Sequence, residues 1–158
     1  MNTLLRFLVV SVVVCSLSNA SEAKLKHKNL ATTAQTQSSI AIDPTGFPHV
    51  AYLGADGKLY HARFDGRTWQ REVVDDSQYY SNAMAIDAQG RIHIVYGVER
   101  TTNSNVTYSL AHAYFDGTSW SVTDLPVSGH HPQIALDADS HPHVLFRGSS
   151  TTATRNTT

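Results

Sequence analysis

Short runs of alternating apolar and polar residues, closed by clusters of Asp, Pro and Gly, fill the chain from residue 39 to residue 146. The two-residue period of a strand places Val50 and Tyr52 on one face, His49 and Ala51 on the other. Four strands in succession are predicted at about 39–42, 49–53, 59–64 and 68–74. A second set follows at about 83–86, 92–97, 107–115 and 119–125. Asp65-Gly66 and Asp116-Gly117, between β-rich segments, supply the positive φ that a tight hairpin turn needs.

The two sets are copies of one another. Residues 40–52 read IAIDPTGFPHVAY, 84–96 read MAIDAQGRIHIVY and 134–146 read IALDADSHPHVLF. Asp43, Asp87 and Asp137 mark the same point in each, 44 and 50 residues apart. A second block follows the first two copies, YHARFDGRTWQREVVD at 60–75 and AHAYFDGTSWSVTDLP at 111–126. Two blocks recurring in the same order at this period predict a propeller-like array of four-stranded antiparallel units. The third unit has only its first two strands before the polar run RGSSTTATRNTT, so the expected fold is all-β, a partial propeller of about two and a half blades. The expected boundaries are repeats at 39–75, 83–125 and 133–146, a polar linker at 24–38 and a disordered tail at 147–158. Such an array leaves strand edges and an apolar face open, so either copies of the chain complete a ring as a homo-oligomer, or the chain is a fragment of a longer propeller.

The pattern A-I-D-x-x-G-x-x-H-V-x-Y followed by H-A-x-F-D-G-x-x-W resembles the repeats of secreted bacterial β-propellers of the sialidase-like and lectin-like kind. The resemblance implies an architecture and not a chemistry. Sialidase Asp-boxes carry a residue between Asp and Gly and a Ser or Thr two positions before the Asp. Here Asp65-Gly66 and Asp116-Gly117 have no spacer, and Arg63 and Tyr114 stand where the hydroxyl residue would be, which speaks against a sialidase.

The N-terminus has a different pattern. Arg6 precedes the apolar run FLVVSVVVCSL, and small residues end at Ala20 and Ala23, the order of a secretory signal peptide over 1–23. The run is too short for a comfortable membrane span, and no second apolar segment follows, so no stable span is expected in the mature chain. Cys15 lies inside the run, and an exported chain without it would have neither thiol catalysis nor disulfides. Twelve basic against thirteen acidic residues, a net charge of -1, exclude a broad basic surface for nucleic acid.

Candidate chemistry is sparse. His49, His93 and His143 are equivalent, as are His61 and His112, and equivalent positions on different blades do not converge on one ion. They are expected to be satisfied, partly buried histidines. Asp43, Asp65, Asp87, Asp116 and Asp137 sit beside turns, where an aspartate accepts backbone hydrogen bonds. Asp137-Ala138-Asp139-Ser140 lacks the glycine and distal glutamate of a helix-loop-helix calcium loop. No metal site and no cofactor are expected. Trp69 and Trp120 are read as packing across strands or blades.

The candidate ligand-binding residues come from topology. Connections between units and those from second to third strand leave a meander on the same rim. The second unit carries seven extra residues there, within 98–106. With 76–82 and 126–132, this rim gathers Tyr79, Tyr80, Asn82, Glu99, Arg100, Asn103, His130 and His131. Aromatics beside amides, a carboxylate and an arginine suit a polysaccharide or glycan. The expectation is a secreted binding or interaction module rather than an enzyme. The alternatives are a glycosidase-like propeller using Asp76 and Glu99, which would have to lie within hydrolytic distance, or a non-functional fragment.

Overall fold

The computed structural model describes residues 10–15, 25–31, 38–76, 79–102 and 105–148, and for the first two segments the backbone alone. Every element among them is a strand. The short strands β1 (Val10–Cys15) and β2 (Leu25–Ala31) form an antiparallel pair. β2 lies within the stretch whose polar composition predicts a linker, so it is the pairing with the apolar run that makes it a strand. β3 (Ser39–Ile42), β4 (Pro48–Leu53), β5 (Leu59–Phe64) and β6 (Trp69–Asp75) form the first four-stranded meander. β7 (Tyr79–Ile86), β8 (Ile92–Thr102), β9 (Asn105–Phe115) and β10 (Trp120–Leu125) form the second. β11 (Gly129–Leu136) and β12 (Pro142–Gly148) pair as a two-stranded half-unit, and the expected tail beyond residue 148 lies outside the described residues.

The three units stack in chain order, with the first strands adjacent, β3 beside β7 and β7 beside β11. This is the all-β arrangement of a partial β-propeller. The core lies between the first two blades. Ala51, Leu53, Leu59 and Val74 of blade 1 meet Met84, Ile92, Ile94, Tyr96, Val98, Ala111 and Ala113 of blade 2. Strand alternation sends those apolar residues to the face of blade 2 that looks back at blade 1. His93, Val95 and His112 go to the face that looks forward to β11 and β12.

The described residues of the insert are strand rather than loop. They lengthen β8 and β9 to 11 residues each, against 6 for β4 and β5, and pair Val98 with Ser109, Glu99 with Tyr108 and Arg100 with Thr107. The expected loops at Tyr79–Asn82 and Gly129–Pro132 are likewise strand. A continued ladder pairs backbone groups that a loop would leave to water, with bulges at Tyr79–Ser81 and His130–Gln133.

The turns are built as the aspartates predict. Asp43 Oδ1 accepts the N–H groups of Thr45 and Phe47 at 2.8 and 2.9 Å, Asp87 Oδ1 those of Gln89 and Arg91 at 2.9 and 2.8 Å, and Asp137 Oδ1 those of Asp139 and His141 at 3.0 and 2.9 Å. Gly46 and Gly90 take φ of 89° and 81°, while Ser140 holds the same corner at 67°.

Candidate interblade binding clefts

The forward face of each blade carries a histidine pair. His49 on β4 is directly opposite Arg63, which places His61 on the diagonal. Their rings meet Nδ1 to Nε2 at 2.8 Å. On blade 2, His93 and His112 meet the same way at 3.1 Å, with rings nearly parallel. The equivalences among these histidines are visible in the sequence. What the sequence does not show is that partners lie within one blade rather than between blades.

In blade 1 the pair belongs to a longer chain of polar contacts. His49 Nε2 lies 3.3 Å from Asp43 Oδ2, and His61 Nδ1 lies 2.9 Å from Glu72 Oε1. Three contacts join four groups, and two neutral imidazoles carry only two protons. The short contacts take them: His61 Nδ1–H donates to Glu72 and His49 Nδ1–H to His61. The long contact, His49 to Asp43, goes without. Burial, and then the neighbouring His61, push His49 down from 6.5 to about 4. Burial also pushes His61 down, with Glu72 opposing it. For Asp43, burial raises the carboxyl, but hydrogen bonds from Thr45 and Phe47 outweigh it and bring it to about 2.

Blade 2 closes over this chain. Trp120 on β10 donates its indole N–H to Glu72 Oε1 at 3.0 Å and sets its ring edge-on to His61 at 5.4 Å. The result is a cleft of about 450 Å³ at the blade junction. His49, His61, Arg63, Gln70 and Glu72 form one wall, the turn Ala88-Gln89-Gly90 another, and Ile92 and Phe115 an apolar patch. A second cleft, of about 500 Å³, lies between blade 2 and the half-unit. His93, His112, Tyr114, Ser121 and Thr123 stand in it where His49, His61, Arg63, Gln70 and Glu72 stand in the first. Asp139, Ser140 and His141 line its opposite side.

These clefts lie beside the Asp-turns, on the rim opposite to the one expected to bind. On the expected rim the structure brings together Tyr80, His130 and His131, and adds Tyr108. Tyr80 and Tyr108 meet edge-on at 5.3 Å, Tyr108 and His130 at 6.5 Å, and His130 and His131 at 5.0 Å. Glu99 sits opposite Tyr108 in the ladder and faces the same way. Arg100 is one residue on, hence on the other face, where it makes a two-pronged contact with Asp124 at 2.8 and 2.7 Å. Asn82 is buried and accepts from Ser39 Oγ on blade 1. Tyr80 donates its hydroxyl to the Gly129 carbonyl at 2.9 Å, and His131, with φ of 54°, donates its N–H to Ser81 Oγ at 3.2 Å. For Tyr79 only the backbone is described, and Asn103 lies outside the described residues. Tyr80, Asn82, Arg100 and His131 thus each make a contact that joins strands or blades.

Two packed four-stranded meanders followed by a half-unit, with equivalent clefts at their junctions, define a propeller-repeat module. No family model matches the chain, and no curated protein does. Among solved structures it is similar to a fucose lectin from Kordia zhangzhouensis, determined in complex with methyl-fucoside. The identity is 22%, over 72% of this chain and 89% of that one, with a TM-score of 0.40.

Proposed function

We propose that the chain is a secreted carbohydrate-binding module whose sugar site is the cleft between blades 1 and 2. The observation that carries this reading is the Glu72 carboxylate, fixed by His61 from its own blade and by Trp120 from the next. Oε1 is occupied by both donors. The rest of the carboxylate is presented beside Arg63 and Gln70, with Ile92 and Phe115 offering an apolar surface. A sugar needs this mixture. Adjacent hydroxyls pair with planar groups that donate and accept two hydrogen bonds at fixed spacing, while the C–H face of the ring packs on carbon. Secretion rests on the charge, apolar and small-residue order of residues 1–23.

The test is a glycan array followed by calorimetric titration of the best ligand into the full chain and its Glu72→Gln variant. Loss of a hydrogen bond to a charged group predicts weakening of about ten- to hundredfold. Tyr108→Ala, on the opposite rim, should bind as the unaltered chain does. The proposal fails if no glycan binds more tightly than millimolar, or if Glu72→Gln leaves affinity unchanged.

A further inference from the structure

We propose that the turn joining β11 and β12 binds a divalent ion of borderline softness, with Asp137, Asp139 and His141 as ligands. The three turns of this kind share a backbone, but their side chains differ. Where the first two have Thr45 and Gln89, the third has Asp139, and where they have Phe47 and Arg91, it has His141. In the second turn the outer oxygen of the aspartate is taken by an arginine, Arg91. In the third, Asp137 Oδ2 faces two imidazoles instead, His141 Nδ1 at 3.3 Å and His143 Nε2 at 3.2 Å.

The His143 contact repeats that of His49 with Asp43 in blade 1, whereas the His141 contact has no counterpart there, where Phe47 stands. A charge-assisted N–H to carboxylate hydrogen bond closes to about 2.7–2.9 Å. Ligand atoms on a tetrahedral zinc ion, each about 2.0–2.1 Å from the metal, are spaced by roughly 3.3 Å. Ligand atoms of Asp137, Asp139 and His141 all lie within 4.8 Å of one another. Asp137 keeps its orientation because Oδ1 is fixed by two backbone N–H groups, leaving Oδ2 as the outward donor.

The surroundings add a second, independent observation. Asp139 and His141 line the cleft whose far wall is His93 and His112. His93 is 6% exposed, and its Nε2 has no hydrogen-bond partner among the described residues. In blade 1 the matching nitrogen meets Asp43, but Asp87 is held by Arg91. On the other ring, Thr123 replaces the glutamate that holds His61 in the first cleft, so His112 borders the cleft without that carboxylate. The second cleft thus keeps the imidazole pair, exchanges the Arg, Gln and Glu of the first for Tyr114, Ser121 and Thr123, and faces an Asp-His turn. Mixed imidazole and carboxylate ligands suit zinc, nickel or copper, whereas calcium calls for six to eight oxygens.

The probe is zinc chloride, titrated calorimetrically into the untagged full chain at about pH 7.5, where imidazoles are neutral ligands. One equivalent should bind, and cobalt in its place should give the visible bands of a four-coordinate site. Asp139→Asn combined with His141→Gln should weaken binding by about tenfold or more. Both side chains are exposed, and far-UV circular dichroism checks that the variant is folded. His130→Gln combined with His131→Gln controls for incidental binding by adjacent surface histidines, and should bind as the unaltered chain does. Three results would overturn the proposal: zinc binding unchanged in the Asp139/His141 variant, several weak equivalents without saturation, or calcium competing equally with zinc.

Discussion

Acidification should unfold this protein in two stages, the first governed by histidine. His49 is 4% exposed and is lowered from 6.5 to about 4 in the fold. Its folded state therefore holds fewer protons than the unfolded chain across that window. Stability then rises with pH through the window, is fully present above about pH 6.5, and is lost as pH falls toward about pH 4. The size of the shift corresponds to about 3 kcal/mol, a large part of the 5–15 kcal/mol that typically holds a domain together. His61, His93 and His112 are lowered by burial as well and act with the same sign. A second loss follows below about pH 4, where Asp43 and Asp137, each held at about 2, must be protonated. The assay is denaturant unfolding of the full chain at about pH 7 and about pH 4.5, with His49→Gln alongside. The variant starts lower at pH 7 but loses less on acidification, since its contribution to the proton difference is gone. An unfolding free energy that stays flat between the two pH values would refute the buried, neutral histidine chain. So would a His49→Gln variant with the same pH slope as the unaltered protein.

Two further predictions test how the blades are joined. A Cβ added at Gly97 would lie 2.5 Å from Tyr80 Cζ, so Gly97→Ala should displace that ring and its bond to the Gly129 carbonyl, at a cost of about 1–3 kcal/mol. Adding Tyr80→Ala should recover part of the loss in a double-mutant cycle, and simple additivity would rule out the contact as its cause. Tyr96 is fully buried and donates to Asp75 Oδ2 at 2.7 Å across the junction between blades 1 and 2. Tyr96→Phe should cost about 1.5–3 kcal/mol in unfolding free energy, read as a lower denaturant midpoint with an unaltered slope, and a neutral substitution would show the bond to be dispensable.

The ten strands of the repeats, their order and the half-unit at the end are legible in the sequence because their causes are local, whereas β1 and β2 are not. Alternation with period two marks a strand wherever one face is buried, and Asp-Gly or Asp-x-x-Gly marks its turn by the backbone it permits. The repeat then supplies the architecture without any long-range contact being known. The insert in the second unit reads as a loop because Glu99 to Thr102 is polar, and nothing local reveals that β8 and β9 continue pairing through it. That choice depends on register, and it decides that Glu99 and Arg100 face opposite ways.

The candidate site is the part that only the tertiary structure decided. His49 and His61 are 12 residues apart and become partners through a cross-strand diagonal. Glu72 and Trp120 are 48 residues apart and meet because blade 2 stacks on blade 1. Repetition told which residues are equivalent. Strand pairing and stacking determined which of them meet, since a cleft at a blade junction takes one wall from each of two units, and no pattern within either unit encodes the other.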